Sequence, residues 1–252
     1  GKTPLSIFLA LEFSKLGKKT SIVRKYYKSH SDEFNMIKNN FGNLIVNKTR
    51  LSGLKEAEKN GSKMVILDDG FQDYKIKKDL NIICFNSNQL IGNGLVLPAG
   101  PLRESLSALR DANIVMINGN KNEIFEKKIL NINKKLEIFY SSYEPTNLKK
   151  FIGKKLLAIA GIGNPENFFK LIEDNNLKIE DKLIFPDHHQ FTENEMKKIV
   201  NEAESKDYQI IMTEKDYYKI HKFKLEKIDY LKVSLKIDKK EKLLDRIGSI
   251  NV

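Results

Sequence analysis

The sequence predicts an α/β protein: a mostly parallel sheet flanked by helices, followed by a second, smaller α/β lobe. Three observations carry this expectation. Unbroken apolar runs such as Met64-Val65-Ile66-Leu67 have the composition of strands buried on both faces. They alternate with stretches of helical periodicity, as parallel strands joined by crossover helices do. The alternation breaks once, between 140 and 153, where Ser-Ser-Tyr-Glu-Pro-Thr-Asn carries turn residues, and then resumes. The expected lobes are therefore 1–145 and 146–252.

Taken in order, Leu5, Phe8, Leu9, Phe13 and Leu16 recur at helical spacing and Gly17 supplies a stop, so 4–16 reads as an amphipathic helix. A strand over 20–23, a helical start over 32–40, a strand over 43–46 and a helix over 51–60 follow, then strands over 64–67, 81–85 and 113–117. Beyond the break, strands over 156–160, 182–185 and 209–212 alternate with helices over 165–174 and 193–205, and a last strand lies near Leu231. The lysine-rich stretch from Lys236 reads as a solvated helix face, and no internal repeat is present.

With 40% hydrophobic and 31% charged residues and a mean hydropathy of -0.43, the chain has the composition of a soluble globular protein. No apolar run approaches the roughly 18 residues of a membrane-spanning helix. One cysteine, Cys84, excludes an internal disulfide or a zinc cluster of thiolates, and without a visible secretory leader it predicts a reducing, cytosolic setting with Cys84 in the core. The net charge of +11 favours an anionic partner. Only five of the 44 cations are arginine, however, and a chain rich in Lys, Asn and Ile acquires such a bias from base composition alone. Charge by itself is weak support for nucleic acid, and none is expected as a partner.

Five segments carry chemistry. Gly1-Lys2-Thr3 opens a helix, and in a phosphate-binding loop the helix N-terminus cradles phosphate, lysine neutralises it and the hydroxyl ligates magnesium; alone, at a chain start, it is as readily chance. Met64-Val65-Ile66-Leu67-Asp68-Asp69-Gly70 has the form of a buried strand that delivers carboxylates to the sheet edge where open α/β sheets bind ligands, though a strand followed by an Asp-Gly turn looks the same. Together the two point to a P-loop NTPase-like core. In Leu97-Pro98-Ala99-Gly100-Pro101-Leu102-Arg103-Glu104 a stiff turn presents a guanidinium beside a carboxylate, for phosphate and metal or as a surface ion pair. Phe185-Pro186-Asp187-His188-His189 suits proton handling better than zinc, for which donors are too few, and a structural role is equally open. Met212-Thr213-Glu214-Lys215-Asp216 reads as a helix N-cap with acids in the first turn.

In this order, and with Ser31-Asp32-Glu33 and Ile159-Ala160-Gly161-Ile162-Gly163-Asn164-Pro165-Glu166-Asn167-Phe168-Phe169 between them, the segments resemble the tetraacyldisaccharide 4'-kinase family, from Gly1 to about Asp216. The resemblance implies a two-lobed P-loop kinase at the cytoplasmic face of a bacterial inner membrane. It would move the γ-phosphoryl group of ATP to the 4'-hydroxyl of a lipid A disaccharide 1-phosphate precursor, giving lipid IVA. Its cofactors would be ATP and Mg2+, and the basic charge would meet an anionic membrane surface. By motif, Gly1, Lys2, Thr3 and Asp68 would bind nucleotide, and Thr3, Asp69 and Glu104 the magnesium. Arg103 would act on the γ-phosphate, Asp32 would be the general base, with Glu33 beside it as the other candidate, and His188 would orient or tune that base. The family's loop reads Gly-Gly-Thr-Gly-Lys-Thr-Pro and follows an apolar anchor helix. A chain starting at Gly1 is expected to bind ATP poorly. A P-loop ATPase switching a nucleic-acid or membrane partner, or a family member that binds lipid without catalysis, are the other readings.

Overall fold

The computed structural model describes residues 1–27, 31–187 and 189–251, with Ser31, Asp32 and Asn251 described by backbone alone. The chain runs through α1 (Lys2–Lys15), β1 (Thr20–Lys25), α2 (Ser31–Asn40), β2 (Leu44–Asn47), α3 (Arg50–Lys59), β3 (Met64–Leu67), β4 (Ile82–Asn86), β5 (Ile114–Asn118), α4 (Glu123–Ile132) and β6 (Glu137–Pro145). It continues through β7 (Leu156–Ala160), α5 (Pro165–Glu173), β8 (Ile179–Ile184), α6 (Glu193–Ser205), β9 (Gln209–Thr213), α7 (Glu214–Ile220), β10 (Ile228–Leu231), β11 (Val233–Ile237) and α8 (Lys240–Gly248). Strands and α-helices alternate over much of the chain, but β3, β4 and β5, then β6 and β7, and β10 and β11 follow one another with no α-helix between them.

Two compact units result, each discontinuous in sequence: Gly1–Lys25 with Ile45–Ser142 and Leu235–Val252, and Tyr26–Leu44 with Tyr143–Ser234. This differs from a single boundary at 145/146. The segment around α2 joins the second unit and the C-terminal helix joins the first, because burial, unlike a linker, is not constrained to be local. The expected break at 140–153 is in part strand: β6 covers 137–145, and its alternating burial of Phe139 and Ser141 explains why no apolar run marked it. The lysine-rich end presents the expected solvated face but also a buried one. Leu235 and Ile237 of β11 and Leu243, Leu244 and Ile247 of α8 are buried, with the lysines on the other side.

In the first unit β1 pairs with β3 in parallel, Val23 opposite Leu67, within a three-stranded sheet of order β2-β1-β3. A second sheet, ordered β11-β6-β5-β4, has parallel β4–β5 and β5–β6 pairs. α1 is buried on more than one side, through Leu5, Ile7, Leu9, Ala10 and Phe13, while Leu16 is exposed, so the helix is less one-faced than its spacing predicted. It ends where Gly17 takes a positive φ of 77° and Lys18 N–H donates to Phe13 O at 3.0 Å. Between β3 and β4 lies a cleft of roughly 780 Å³, walled by Val65, Ile66, Leu67, Ile82, Cys84 and Phe85. Cys84 is half-buried on that wall rather than enclosed in the core.

The second unit is a four-stranded sheet of order β10-β9-β7-β8. All its pairings are parallel. The chain steps from β7 outward to β8, then crosses back to β9, so the order reverses between β7 and β9, the switch point of a doubly wound sheet. β7 alternates its contacts accordingly: Leu156, Ala158 and Ala160 pack with Phe168, Phe169 and Ile172 on one face. On the other face Leu157 and Ile159 pack with Met196, Val200 and Met212. Among the described residues, no helix is long and apolar enough to cross a membrane.

Candidate functional site

The site in the first unit grows from the C-terminal ends of the parallel strands β1 and β3, which Asp68 links to the start of α1. Asp68 follows β3, and its N–H donates to Val23 O at 3.2 Å. Its carboxylate, 1% exposed, takes the Thr3 hydroxyl at 3.1 Å, the Ser6 hydroxyl at 2.9 Å and the Arg24 guanidinium at 3.0 Å. One buried carboxylate therefore ties the first turn of α1 to both strands.

Asp69 adopts a positive φ of 56°, which sends its side chain away from Asp68. Arg50, buried at the start of α3, holds that turn by donating from Nη2 to Asp69 O, and its Nη1 lies 3.6 Å from Asp73. Gly70 completes it, since a Cβ there would stand 2.5 Å from Leu67 Cβ. The Asp69 carboxylate meets Lys2 Nζ at 3.4 Å and the Arg103 guanidinium. Burial pushes this carboxyl up, but Lys2 and Arg103 outweigh it and hold its pKa below the ordinary aspartate value.

Arg103 reaches Asp69 from a closed loop. Leu97 N–H donates to Leu102 O at 2.8 Å and Leu102 N–H to Leu95 O at 3.1 Å. Gly100 sits so close to Leu95 that a Cβ would fall 2.4 Å from its carbonyl oxygen. Glu104 does not join the Asp69 cluster by any hydrogen bond; Tyr74 donates to it at 2.5 Å, and that bond pushes the Tyr74 phenol up to about 12.

The structure thus brings Lys2, Thr3, Asp68, Asp69 and Arg103 into one network around the first turn of α1, with Gly1 as its N-cap. Three of the chain's five arginines serve the Asp68-Asp69 pair, and two of them, Arg24 and Arg50, carried no role in the sequence reading. The signal was faint: in an arginine-poor chain, Arg24 directly follows the strand expected over 20–23 and falls within β1. Lys2 and Arg103 converge on a single carboxylate oxygen, and such cations can as readily hold phosphate. Thr3, Asp68 and Asp69 present hydroxyl and carboxylate oxygens, the donor type that magnesium takes. No group of three or more His, Cys, Asp or Glu suited to an all-protein metal cage occurs among the described residues.

The second unit carries the remaining candidates. Asp32 lies in the first turn of α2, with its side chain outside the description, and His188 lies outside the described residues altogether. Their neighbours are placed: Lys215 Nζ lies 3.7 Å from Glu33 and 3.5 Å from Asp187. His189 has a structural setting, stacked on Phe185 and 3.0 Å from Glu195, whose partner Thr192 caps α6 in a capping box. Thr213 caps α7 as its sequence suggests. Beyond that cap, buried Asp216 accepts from Gly161 N–H at 2.8 Å, Thr213 Oγ1 at 2.7 Å and Lys219 Nζ at 2.7 Å, locking the loops after β7 and β9 together.

Comparison with known proteins adds the following. The family model for tetraacyldisaccharide-1-P 4'-kinase, LpxK, matches residues 1–250. The tetraacyldisaccharide 4'-kinase of Pelagibacter ubique (strain HTCC1062) is 35% identical over 254 residues, covering 100% of this chain and 81% of that protein. That of Haemophilus influenzae (strain 86-028NP) is 29% identical over 269 residues, covering 98% and 78%. The crystal structure of LpxK from Aquifex aeolicus in complex with ATP superposes with a TM-score of 0.69 at 22% identity, over 100% of this chain and 85% of that one.

Proposed function

The chain belongs to the tetraacyldisaccharide-1-P 4'-kinase family, and from that premise we propose that it moves the γ-phosphoryl group of ATP to the 4'-hydroxyl of a tetraacylated disaccharide 1-phosphate, the lipid IVA-forming step of lipid A biosynthesis. The observation that carries the reading is the network at the start of α1, where Lys2 and Arg103 flank Asp69 while Thr3 and Asp68 are hydrogen-bonded. In phosphoryl transfer the protein mainly positions and neutralises the transferring group, which calls for cations and an acid pair at a helix N-terminus.

Lys2 neutralises the β- and γ-phosphate oxygens, exchanging its Asp69 contact for phosphate, and Arg103 supports the γ-phosphoryl group as charge spreads over its equatorial oxygens. Thr3 and Asp69 would hold Mg2+, with Glu104 joining them only on leaving Tyr74, and the ion when bound would supply countercharge to the phosphates. Asp68, which accepts from the Thr3 and Ser6 hydroxyls and pairs with Arg24, fixes the first turn of α1 at the nucleotide. Asp32 accepts the proton of the 4'-hydroxyl, whose oxygen then bonds to the γ-phosphorus as ADP departs, and His188 orients Asp32. The solved Aquifex aeolicus relative holds ATP, which supports the choice of nucleotide. The lipid substrate and a net charge of +11 favour work at the cytoplasmic face of the inner membrane, beside anionic head groups.

The test is transfer of γ-³²P from ATP to the tetraacyldisaccharide 1-phosphate, run with this chain and with the chain preceded by Gly-Gly-Thr. Labelled product that needs magnesium and is lost in Asp32→Ala is the expected result. ATP hydrolysis without labelled lipid in either form would instead favour a nucleotide-driven switch.

A further inference from the structure

The Thr213-Glu214-Lys215-Asp216 segment has no part in the chemistry above beyond capping α7, yet its side chains reach well past that cap. Glu214, buried, accepts from Asn40 Nδ2 at 2.8 Å, and Asn40 is the last residue of α2. Lys215, the next residue, lies 3.7 Å from Glu33 in the first turn of α2 and 3.5 Å from Asp187 in the loop after β8. Two successive residues of α7 therefore hold α2 near both of its ends. The second of them also holds the β8–α6 loop.

The anchor is firm. Thr213 accepts from Asp216 N–H at 3.1 Å, and Asp216, fully buried, is tied to Gly161 and Lys219. Lys215 thus projects from a backbone fixed on both sides of it. Its side chain is 19% exposed and that of Glu33 18%, so the Glu33 arm is sheltered, while Asp187, 45% exposed, forms the outer arm. Glu33 follows Asp32 in sequence and Asp187 precedes His188, which makes Lys215 the common partner of the two segments that carry the proposed base and its orienting histidine.

We infer that Lys215 is a positioning residue that fixes the Asp32 and His188 segments relative to each other, an inference that rests on the roles proposed for those two residues. Its ammonium bridges two carboxylates from segments more than 150 residues apart, and a shift of about an ångström between a base and its partner is enough to cost on the order of a hundredfold in rate.

Lys215→Met removes the bridge and Lys215→Arg keeps a cation of similar reach. Amide hydrogen exchange in segments 31–40 and 185–190, measured without substrate, is expected to quicken roughly tenfold in Lys215→Met and to return toward the parent rate in Lys215→Arg. Unchanged exchange in Lys215→Met overturns the bridge whatever the enzyme does. In the transfer assay Lys215→Met should lower kcat about 10–100-fold and leave the KM for ATP in place, with Lys215→Arg largely restored. In an Asp32→Asn background the Lys215 change should cost nothing further, because a residue acting through Asp32 has nothing left to position. An equal loss in that background, or an unaltered kcat in the parent, overturns the inference. Should Asp32→Asn alone leave transfer intact, the base assignment fails, and the exchange result still decides whether Lys215 joins the two segments.

Discussion

Replacing Arg24 with methionine tests the centre of the first unit most directly. The Arg24 and Asp68 side chains are 4% and 1% exposed, with Nη1 and Oδ2 3.0 Å apart, so removing the guanidinium strands a carboxylate in the interior. Breaking a buried pair from one side costs about 3–5 kcal/mol. Asp68 would keep the Thr3 and Ser6 hydroxyls, and bonds to a charged group contribute about 1.5–3 kcal/mol each, so the lower end, about 3 kcal/mol, is expected. For a chain of this size each kcal/mol moves the midpoint by about 2–4 °C, which gives a fall of about 6–12 °C. The chain has no tryptophan, so far-UV circular dichroism should follow the melt. A companion Arg24→Met/Asp68→Leu variant removes both charges and should recover most of the loss, though not nucleotide binding. A single-variant loss below about 1 kcal/mol, the range of solvated pairs, would refute the reasoning, as would a double variant less stable than the single.

Three further outcomes are expected. Gly70→Ala forces a methyl against Leu67 Cβ and should destabilise by about 1–3 kcal/mol in urea unfolding, with a wild-type midpoint counting against the tight turn. Arg50→Met withdraws the donor from Asp69 O and should lower stability by about 1–3 kcal/mol while weakening nucleotide binding by calorimetry; intact binding would detach Arg50 from the site. Asp69 has a folded pKa below its unfolded value, so its contribution is present above an unfolded pKa of roughly 3.9 and is lost as pH falls through the folded one. Lys2→Met should therefore shift the urea midpoint most above the unfolded aspartate range, at pH 5–7, and progressively less as pH falls through the lowered folded pKa; a shift independent of pH would exclude the Lys2–Asp69 contact as its source.

What could be read from the residues alone was what is local. Asp68-Asp69-Gly70 announces itself because an apolar strand ends there, and Asn164-Pro165 announces α5 because an N-cap and a proline at the first turn are short-range devices. β6 and α8 were obscured by their polar and lysine-rich alternate positions, although the buried positions Phe139, Leu243 and Ile247 keep the right spacing. The contacts that decide the site were beyond such reading. Arg24–Asp68 and Lys215–Glu33 join positions far apart in sequence, and a charge destined for the interior looks the same on paper as one destined for water.

The cleft between β3 and β4 has a consequence for the protein in solution. Each strand ends its sheet there, so two rows of backbone donors and acceptors line the gap, set among Val65, Ile66, Ile82 and Phe85 with no proline or charge in either strand. Bare parallel edges of that composition are templates for any extended chain, another copy included. The surplus of 11 positive charges opposes such pairing between copies, since like charges repel over a Debye length of about 8 Å at physiological salt. Concentrated salt shortens that reach to about 3 Å while strengthening apolar association, so raising salt weakens the one opposing force and favours pairing along these edges.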